Sequence, residues 1–286
     1  MEDLTDRVAV VTGGAGGIGK SLAERFAREG MKLVIADVEA GALDQTVGQL
    51  RDAGAEVIGV QTDVTSFESV DALAAAAFAE YGKVHVLCNN AGVGPPSAAV
   101  WDTTPNDWKW TFSVNVFGVA HGIQAFVPRM LESGEEGIVI NTSSPDGPIA
   151  PMPTASVYAA TKSAVTCLTE CLDAQLHSQS AKVRAAVFYP SGQGLLDTGL
   201  WTSDRNRPTA LARERPRTTP PISVAQLRER GMPIQSLDEL AELVVDGIRD
   251  GRFVMILNPE RAIATLTARL EKFSRGENAT EMHQLG

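Results

Sequence analysis

Short, continuously apolar runs recur along the chain at 8–11, 33–36, 57–60, 84–88, 138–140, 183–188 and 253–257. Unbroken apolar runs, rather than alternating ones, suit strands buried on both faces, as in a parallel sheet covered on both sides by helices. Between the runs, apolar residues fall at helical spacing, for example Ile18, Leu22 and Phe26, then Leu43, Val47 and Leu50. The alternation predicts an α/β fold, a doubly wound parallel sheet of about seven strands with helices on both faces. Residues 1–258 read as a single domain, with a C-terminal helix over 259–275 and a polar, flexible tail over 276–286. One stretch breaks the rhythm. Residues 195–233 are rich in Arg, Pro and Thr and hold no strong pattern before Val224. An irregular segment of that length in a compact domain is commonly a lid or binding loop, and 195–232 is read as a mobile lid over the substrate.

Composition narrows the picture. With 286 residues, 44% of them hydrophobic, the chain can bury a sizeable core. Its 25 Lys and Arg against 35 Asp and Glu, a net charge of −10, speak against nucleic acid as a partner. No apolar run approaches the roughly 18 residues of a membrane span, and Glu2, Asp3 and Asp6 stand where a signal peptide needs positive charge, so a cytoplasmic location is expected. Cys88, Cys167 and Cys171 are read as small buried apolar residues, since no second Cys or His pair is spaced for zinc. The histidines are scattered, and no metal is expected. Between Asp204 and Arg230 seven arginines face three acids, which reads first as a solvated loop and second as an anion-binding patch. Of the tryptophans, Trp101, Trp108 and Trp110 are assigned to core or interface, and Trp201 to substrate contact.

Directly after the first run comes Thr12-Gly13-Gly14-Ala15-Gly16-Gly17-Ile18-Gly19, and then an amphipathic helix. A glycine turn between strand and helix lets the backbone approach a pyrophosphate and aims free helix N–H groups at its charge, although a plain tight turn also needs glycine. The second run ends at Asp37, where a carboxylate would accept hydrogen bonds from the adenosine ribose and disfavour a 2′-phosphate, favouring NAD over NADP. The plainer reading makes Asp37 a helix cap. Strand, glycine turn, helix, strand and acid in this order specify a Rossmann-type fold.

The spacing Gly13-x-x-x-Gly17-x-Gly19 resembles the turn of the short-chain dehydrogenase/reductase family. Further marks follow in order: Asp63-Val64, Asn89-Asn90-Ala91-Gly92, Asn115, Ser143-Ser144 and Tyr158-x-x-x-Lys162. The resemblance covers roughly residues 5–258. It implies that Gly13, Gly17, Ile18 and Gly19 hold the cofactor at the turn, that Asp63 and Val64 embrace the adenine, and that Asn90 supports the fourth strand beside the ribose. It also implies that Lys162 holds the nicotinamide ribose, that Asn115 holds a water linking the lysine to solvent, and that the chain forms a homotetramer or homodimer. After the sixth strand the family reads Pro-Gly-x-Val-x-Thr. Here Thr198 follows Pro190 by eight residues instead of five, so the contact of Pro190 and Thr198 with the nicotinamide rests on an altered stretch.

Tyr158 and Lys162 are one helical turn apart and project from one face. Removing hydride from an alcohol carbon needs a base for the hydroxyl proton, and a tyrosine of pKa about 10 is protonated at neutral pH. A neighbouring ammonium favours the phenolate, a role expected of Lys162. Ser144 is chosen to orient the substrate oxygen, with Ser143 as the alternative. The gap from Ser144 to Tyr158 exceeds the family's by one residue, in a stretch stiffened by Pro145, Pro148, Pro151 and Pro153. These residues together predict an NAD-dependent interconversion of a secondary alcohol and a ketone. Leu195, Leu196, Leu200 and Trp201 on one wall, and Val93, Gly94, Pro95, Pro96 and 149–153 on the other, suggest a bulky hydrophobic or aryl small-molecule substrate. A cofactor-retaining epimerase or dehydratase of the same fold is a second reading. A third is a non-catalytic NAD-sensing scaffold, against which the complete set Asn115, Ser144, Tyr158 and Lys162 speaks.

Overall fold

A computed structural model describes residues 1–94, 98–190, 194–215, 224–229 and 231–280. Pro95 and Pro96 of the expected pocket wall, Ser191 and Gly192 of the altered stretch, residues 216–223 and 230 of the expected lid, and 281–286 of the tail lie outside them. Seven strands form one parallel sheet: β1 (Val8–Thr12), β2 (Lys32–Asp37), β3 (Val57–Gln61), β4 (Val86–Asn89), β5 (Gly137–Thr142), β6 (Val183–Tyr189) and β7 (Val254–Ile256). Their order is β3-β2-β1-β4-β5-β6-β7, so the winding reverses between β1 and β4, and the crevice at those strand ends is where open α/β sheets bind ligands.

The helices are α1 (Gly17–Arg28), α2 (Ala40–Asp52), α3 (Phe67–Tyr81), α4 (Pro105–Phe112), α5 (Gly118–Ser133), α6 (Ser156–Ser178), α7 (Val224–Glu229), α8 (Leu237–Asp250) and α9 (Pro259–Ser274). Successive β1 residues serve opposite layers. Ala9 and Val11 pack with Leu22, Phe26, Val244 and Ile248, whereas Val8 and Val10 pack with Leu73, Trp110 and Phe126. Both faces are therefore apolar, which is why the sequence shows runs rather than alternation. Helix starts carry local signals: Ser66 caps α3, and Thr104 with Asp107 forms a capping box ahead of Pro105 at the first position of α4. Between α4 and α5 one π turn, Ser113–Phe117, carries Asn115 into the interior. Among the described residues no helix is long and apolar enough to cross a membrane.

Three expectations need correction. Cys167 and Cys171 are exposed, and only Cys88 is buried. α6 buries the face bearing Val165, Thr166, Thr169 and Leu172, and at 3.6 residues per turn the two cysteines point away from it. The fourth and seventh strands, Val86–Asn89 and Val254–Ile256, are shorter than their apolar runs, and among the described residues β7 pairs with β6 alone. The segment after β6 is not without structure: Gly199–Asn206 and Thr209–Leu211 are 3₁₀ turns, and Leu195 pairs with Ile234. Turns this short present no helical apolar period to read.

Candidate active site

The groove begins at the β1–α1 turn. Gly13 takes a φ of +64°, and a Cβ there would stand 2.9 Å from the Ala91 Cα; one on Gly19 would stand 2.1 Å from the Gly13 carbonyl oxygen. These two positions accept no side chain, so the turn holds α1 against β4 and leaves its backbone open. Gly16 precedes α1 as its N-cap and offers no capping side chain, and the helix has no acid in its first turn. Its first N–H groups are therefore open to an anionic ligand, and a dinucleotide pyrophosphate fits that cradle. Asn90 locks the turn from the β4 side, its Nδ2 donating to the Thr12 carbonyl at 3.0 Å.

Gly13, Gly17, Ile18, Asp37, Asp63, Val64, Asn90, Tyr158, Lys162, Pro190 and Thr198 all line this one groove. At its outer end, Asp37 accepts from the Ala15 N–H and the Glu39 N–H, both at 3.1 Å. These bonds aim its carboxylate across the groove rather than over α2, as a capping role would require, and α2 starts after Glu39 with no side-chain cap. Asp63 accepts from the Thr65 N–H at 2.9 Å, and Val64 packs beneath Gly118. Despite its displaced position in the sequence, Thr198 lies against the glycine turn, with its Cβ 3.1 Å from where a Cβ on Gly17 would stand.

At the inner end, α6 delivers Tyr158 and Lys162, and the end of β5 delivers the serines. Lys162 Nζ lies 5.5 Å from the Tyr158 ring centroid and donates to the Thr142 carbonyl at 2.8 Å. The two serines separate cleanly. Ser143 is fully buried, and its hydroxyl is engaged by the Lys162 carbonyl and the Thr166 hydroxyl, each at 2.8 Å. The hydroxyl that faces Tyr158 is that of Ser144. Asn115 is also fully buried: its Oδ1 accepts from the Val93 N–H at 2.8 Å, and its Nδ2 donates to the Val93 carbonyl at 2.9 Å and the Thr161 hydroxyl at 3.1 Å. Asn115 Oδ1 and Lys162 Nζ flank Gly92, 3.6 and 3.7 Å from where its Cβ would be.

Electrostatically the site differs from expectation. Burial, and then the negative charge of Asp146, push the Tyr158 phenol above its ordinary pKa, with the Ser144 hydroxyl opposing. Burial also brings Lys162 down to about 8. In the protein alone, desolvation is the leading influence on both groups. The tyrosine is therefore held as a proton donor, and the lysine gives up its proton more readily than an exposed ammonium would.

The segment after β6 adds a wall that spacing alone did not reveal. Ser203 exchanges hydrogen bonds with both backbone groups of Gly94, each at 3.1 Å. Arg205 reaches Glu39 at 2.5 Å, joined by Asn206 at 2.7 Å. Arg207, 5% exposed, pairs with Asp107 at 2.8 Å and places its guanidinium 4.3 Å from the Trp110 ring centroid. Trp110, Ser203, Arg205, Asn206 and Pro208 all line the groove. Residues 203–208 thus form a strap along the groove, tied to the β2 end, to the β4 end and to α4. Trp201 does not line the groove; its indole N–H donates to the Leu196 carbonyl at 2.7 Å. Ile149 likewise packs inward against Val187 and Tyr189 instead of forming pocket wall.

Comparison with known proteins agrees with this geometry. The family model described as short chain dehydrogenase matches residues 7–207. A crystal structure of a short chain dehydrogenase/reductase from Burkholderia phymatum in complex with NAD superposes with a TM-score of 0.91 at 39% identity, covering 100% of both chains. The apo form of LigO from Sphingobium sp. strain SYK-6 gives a TM-score of 0.77 at 28% identity, over 96% of this chain and 91% of that one. Among curated proteins, the 1-deoxy-11-beta-hydroxypentalenate dehydrogenase of Streptomyces exfoliatus is 39% identical over 198 residues, 69% of this chain and 70% of the relative. With the family model matched over residues 7–207 and the whole fold superposing on a member, the chain belongs to the short-chain dehydrogenase/reductase family.

Proposed function

We propose that the chain is an NAD-dependent oxidoreductase that interconverts a secondary alcohol and a ketone. The observation that carries this reading is the convergence of Tyr158 and Lys162 on the inner end of the groove that begins at the glycine turn, with the Ser144 hydroxyl facing Tyr158. When bound, NAD supplies the hydride acceptor in one direction and, once reduced, the donor in the other. Gly13, Gly17, Ile18 and Gly19 hold its pyrophosphate, Asp37 its adenosine ribose, and Asp63 and Val64 its adenine. Pro190 and Thr198 complete the wall after β6.

Tyr158 holds the proton exchanged with the substrate oxygen, and Ser144 orients that oxygen by donating to it. The raised pKa of the phenol suits proton donation to a forming alkoxide. The oxidising direction requires extra positive charge beside the ring, which Lys162 and the oxidised nicotinamide provide together. Lys162 also holds the nicotinamide ribose and exchanges its proton with solvent through water beside Gly92 and Asn115. Asn115 itself is a positioning residue, since its amide is committed to Val93 and Thr161.

Residues 195–232 are read as the lid, and Leu196 and Leu200 from its side and Val93 from the β4 end line the groove with apolar surface, which suits a hydrophobic or aryl substrate. The reading also places the protein in the cytoplasm as a homodimer or homotetramer, with one domain over residues 1–258. NADH formation by purified protein, screened over aliphatic, aryl, terpenoid and steroid secondary alcohols, tests it. Turnover with at least one apolar class supports the assignment, and no NADH from any class rejects it. The strap favours one variation, a cofactor-retaining epimerase or dehydratase, because ties at Glu39, Gly94 and Asp107 oppose cofactor exit. NADH that remains enzyme-bound, never exceeding one per site, would select it.

A further inference from the structure

The adenosine end of the groove holds a cation that the functional reading leaves unassigned. Residues 12–19 of the glycine turn and 36–39 at the end of β2 contain no lysine or arginine. The chain supplies one from 166 positions away. Among the described residues that line the groove, Arg205 and Lys162 are the cations, and Lys162 lies at the inner end. Arg205 comes from the segment after β6 whose Thr198 lies against Gly17, and its guanidinium packs on that segment: a Cβ on Gly199 would stand 2.9 Å from Arg205 Nη2. Nη1 donates to the Gly199 carbonyl at 3.0 Å, the Thr202 carbonyl at 3.1 Å and the Thr202 hydroxyl at 3.0 Å. The guanidinium is thus fixed by its own turn, and Nη2 is the nitrogen that reaches across to β2.

There it meets Glu39 at 2.5 Å. The Glu39 N–H donates to Asp37 Oδ1 at 3.1 Å, so the pair stands next to the carboxylate assigned to the adenosine ribose. Glu39 is the N-cap residue of α2, yet its carboxyl caps nothing; it accepts from Arg205 and, at 2.7 Å, from Asn206. Those two hydrogen bonds hold it below the ordinary pKa of a glutamate, and it is charged at neutral pH. The plain reading is a surface ion pair that ties the strap, and with side chains 45% and 33% exposed such a pair adds little stability. That reading leaves the position of the pair unexplained. Both members line the groove, beside the group that meets the ribose. Asp37, Glu39 and Arg205 together carry a formal charge of minus one. With Glu39 neutral the sum is zero, and a planar guanidinium held in place is a ready partner for a phosphate.

We propose that Glu39 sets cofactor specificity: by pairing with Arg205 it withholds that guanidinium from a 2′-phosphate, so that NADP is refused by Glu39 and Asp37 acting together. Arg205 is then a latent phosphate-binding group, masked by a single carboxylate. This assignment rests on the functional reading above for the adenosine ribose at Asp37 and is independent of the alcohol chemistry.

Calorimetric titration of NAD and of NADP into the full-length chain reads the selectivity without turnover, as a ratio of two Kd values in which any general loosening of the strap cancels. A hydrogen bond to a charged group is worth roughly a factor of ten to a hundred. The wild type should bind NAD at least about tenfold more tightly than NADP, and Glu39→Gln, which keeps the shape and loses the charge, should narrow that ratio by about tenfold or more through tighter NADP binding. Removing the guanidinium as well, by combining Glu39→Gln with Arg205→Ala, should restore the ratio to within about threefold of wild type, because the formal charge is again minus one. Arg205→Ala alone should widen it. Melting curves check that each variant is folded, and Glu39→Ala repeats the test should the glutamine variant fold poorly. If no alcohol is oxidised while this pattern holds, the redox assignment fails and the Glu39 assignment stands. If the wild type binds neither dinucleotide, the ribose placement fails and the Glu39 assignment with it. Equal affinity for the two in the wild type, an unchanged ratio in Glu39→Gln, or a narrowed ratio that survives the loss of Arg205 reduces the pair to a tie of the strap and overturns the proposal.

Discussion

Removing the guanidinium of Arg207 should loosen the strap and, through it, the cofactor. Arg207 and Asp107 are 5% and 6% exposed, 2.8 Å apart, and Arg207 also donates to the Leu211 carbonyl at 3.2 Å. Hydrogen bonds from Thr104 and Arg207 hold the Asp107 carboxyl below its ordinary pKa although burial opposes them, so it is charged at neutral pH. Removing one partner of a buried pair commonly costs about 3–5 kcal/mol, because the other charge is left behind. Here Arg213 stays 3.6 Å from the Asp107 carboxylate and compensates in part, so Arg207→Met should cost about 2–3 kcal/mol. The methionine preserves most of the packing on Trp110, which confines the change to charge and hydrogen bonds. At about 1.4 kcal/mol per decade, amide exchange across 199–211 should accelerate roughly 30- to 150-fold. The Kd for NAD should rise by no more than that factor. Unchanged exchange would show that Arg207 does not hold the strap. Faster exchange with an unchanged Kd would show that the strap is no part of the cofactor site.

Other consequences follow from particular contacts. NAD should be preferred over NADP roughly ten- to hundredfold in kcat/KM, since a 2′-phosphate would meet the Asp37 carboxylate; Asp37→Ser should narrow the gap, and equal efficiency in the wild type would refute this role. Ser144→Ala should lower turnover at unchanged NAD affinity. Ser143→Ala should instead lower stability by about 1–2 kcal/mol through its two lost hydrogen bonds, and the reverse pattern would exchange the two assignments. His85, whose Nδ1 accepts from the Val8 N–H at 2.9 Å, has its pKa brought down to about 4 by burial. The unfolded chain therefore takes up a proton below pH about 6.5 that the folded chain refuses down to about 4, and stability present above 6.5 is lost across that window, on the order of 3 kcal/mol in all. Urea unfolding at both ends of the window, in wild type and His85→Asn, measures it, and an equal loss in both would refute it.

Local and periodic features were legible in the sequence. The glycine turn is a contiguous octad, Tyr158 and Lys162 are one helical turn apart, and a strand buried on both faces must be apolar throughout. What escaped reading depends on contacts between distant residues. Arg207 meets Asp107 and Trp110 across about a hundred positions, so Trp110 reads as a plain core residue and Arg207 as one charge in a solvated loop. Thr198 looks misplaced by counting from Pro190, yet the chain brings it to Gly17. Ser143 and Ser144 are equivalent by type, and only the engagement of Ser143 by α6 separates them.

The central claim, that Tyr158 transfers the substrate proton at a site that holds NAD independently, is tested most directly by Tyr158→Phe, which keeps the ring and removes only the hydroxyl. Steady-state turnover and calorimetric NAD titration on the same preparation separate the two roles. The account predicts a rate lower by at least about a hundredfold with NAD affinity essentially preserved. A variant that retained more than about a tenth of the wild-type rate would contradict it, because acid–base catalysis is worth roughly 10² to 10⁴.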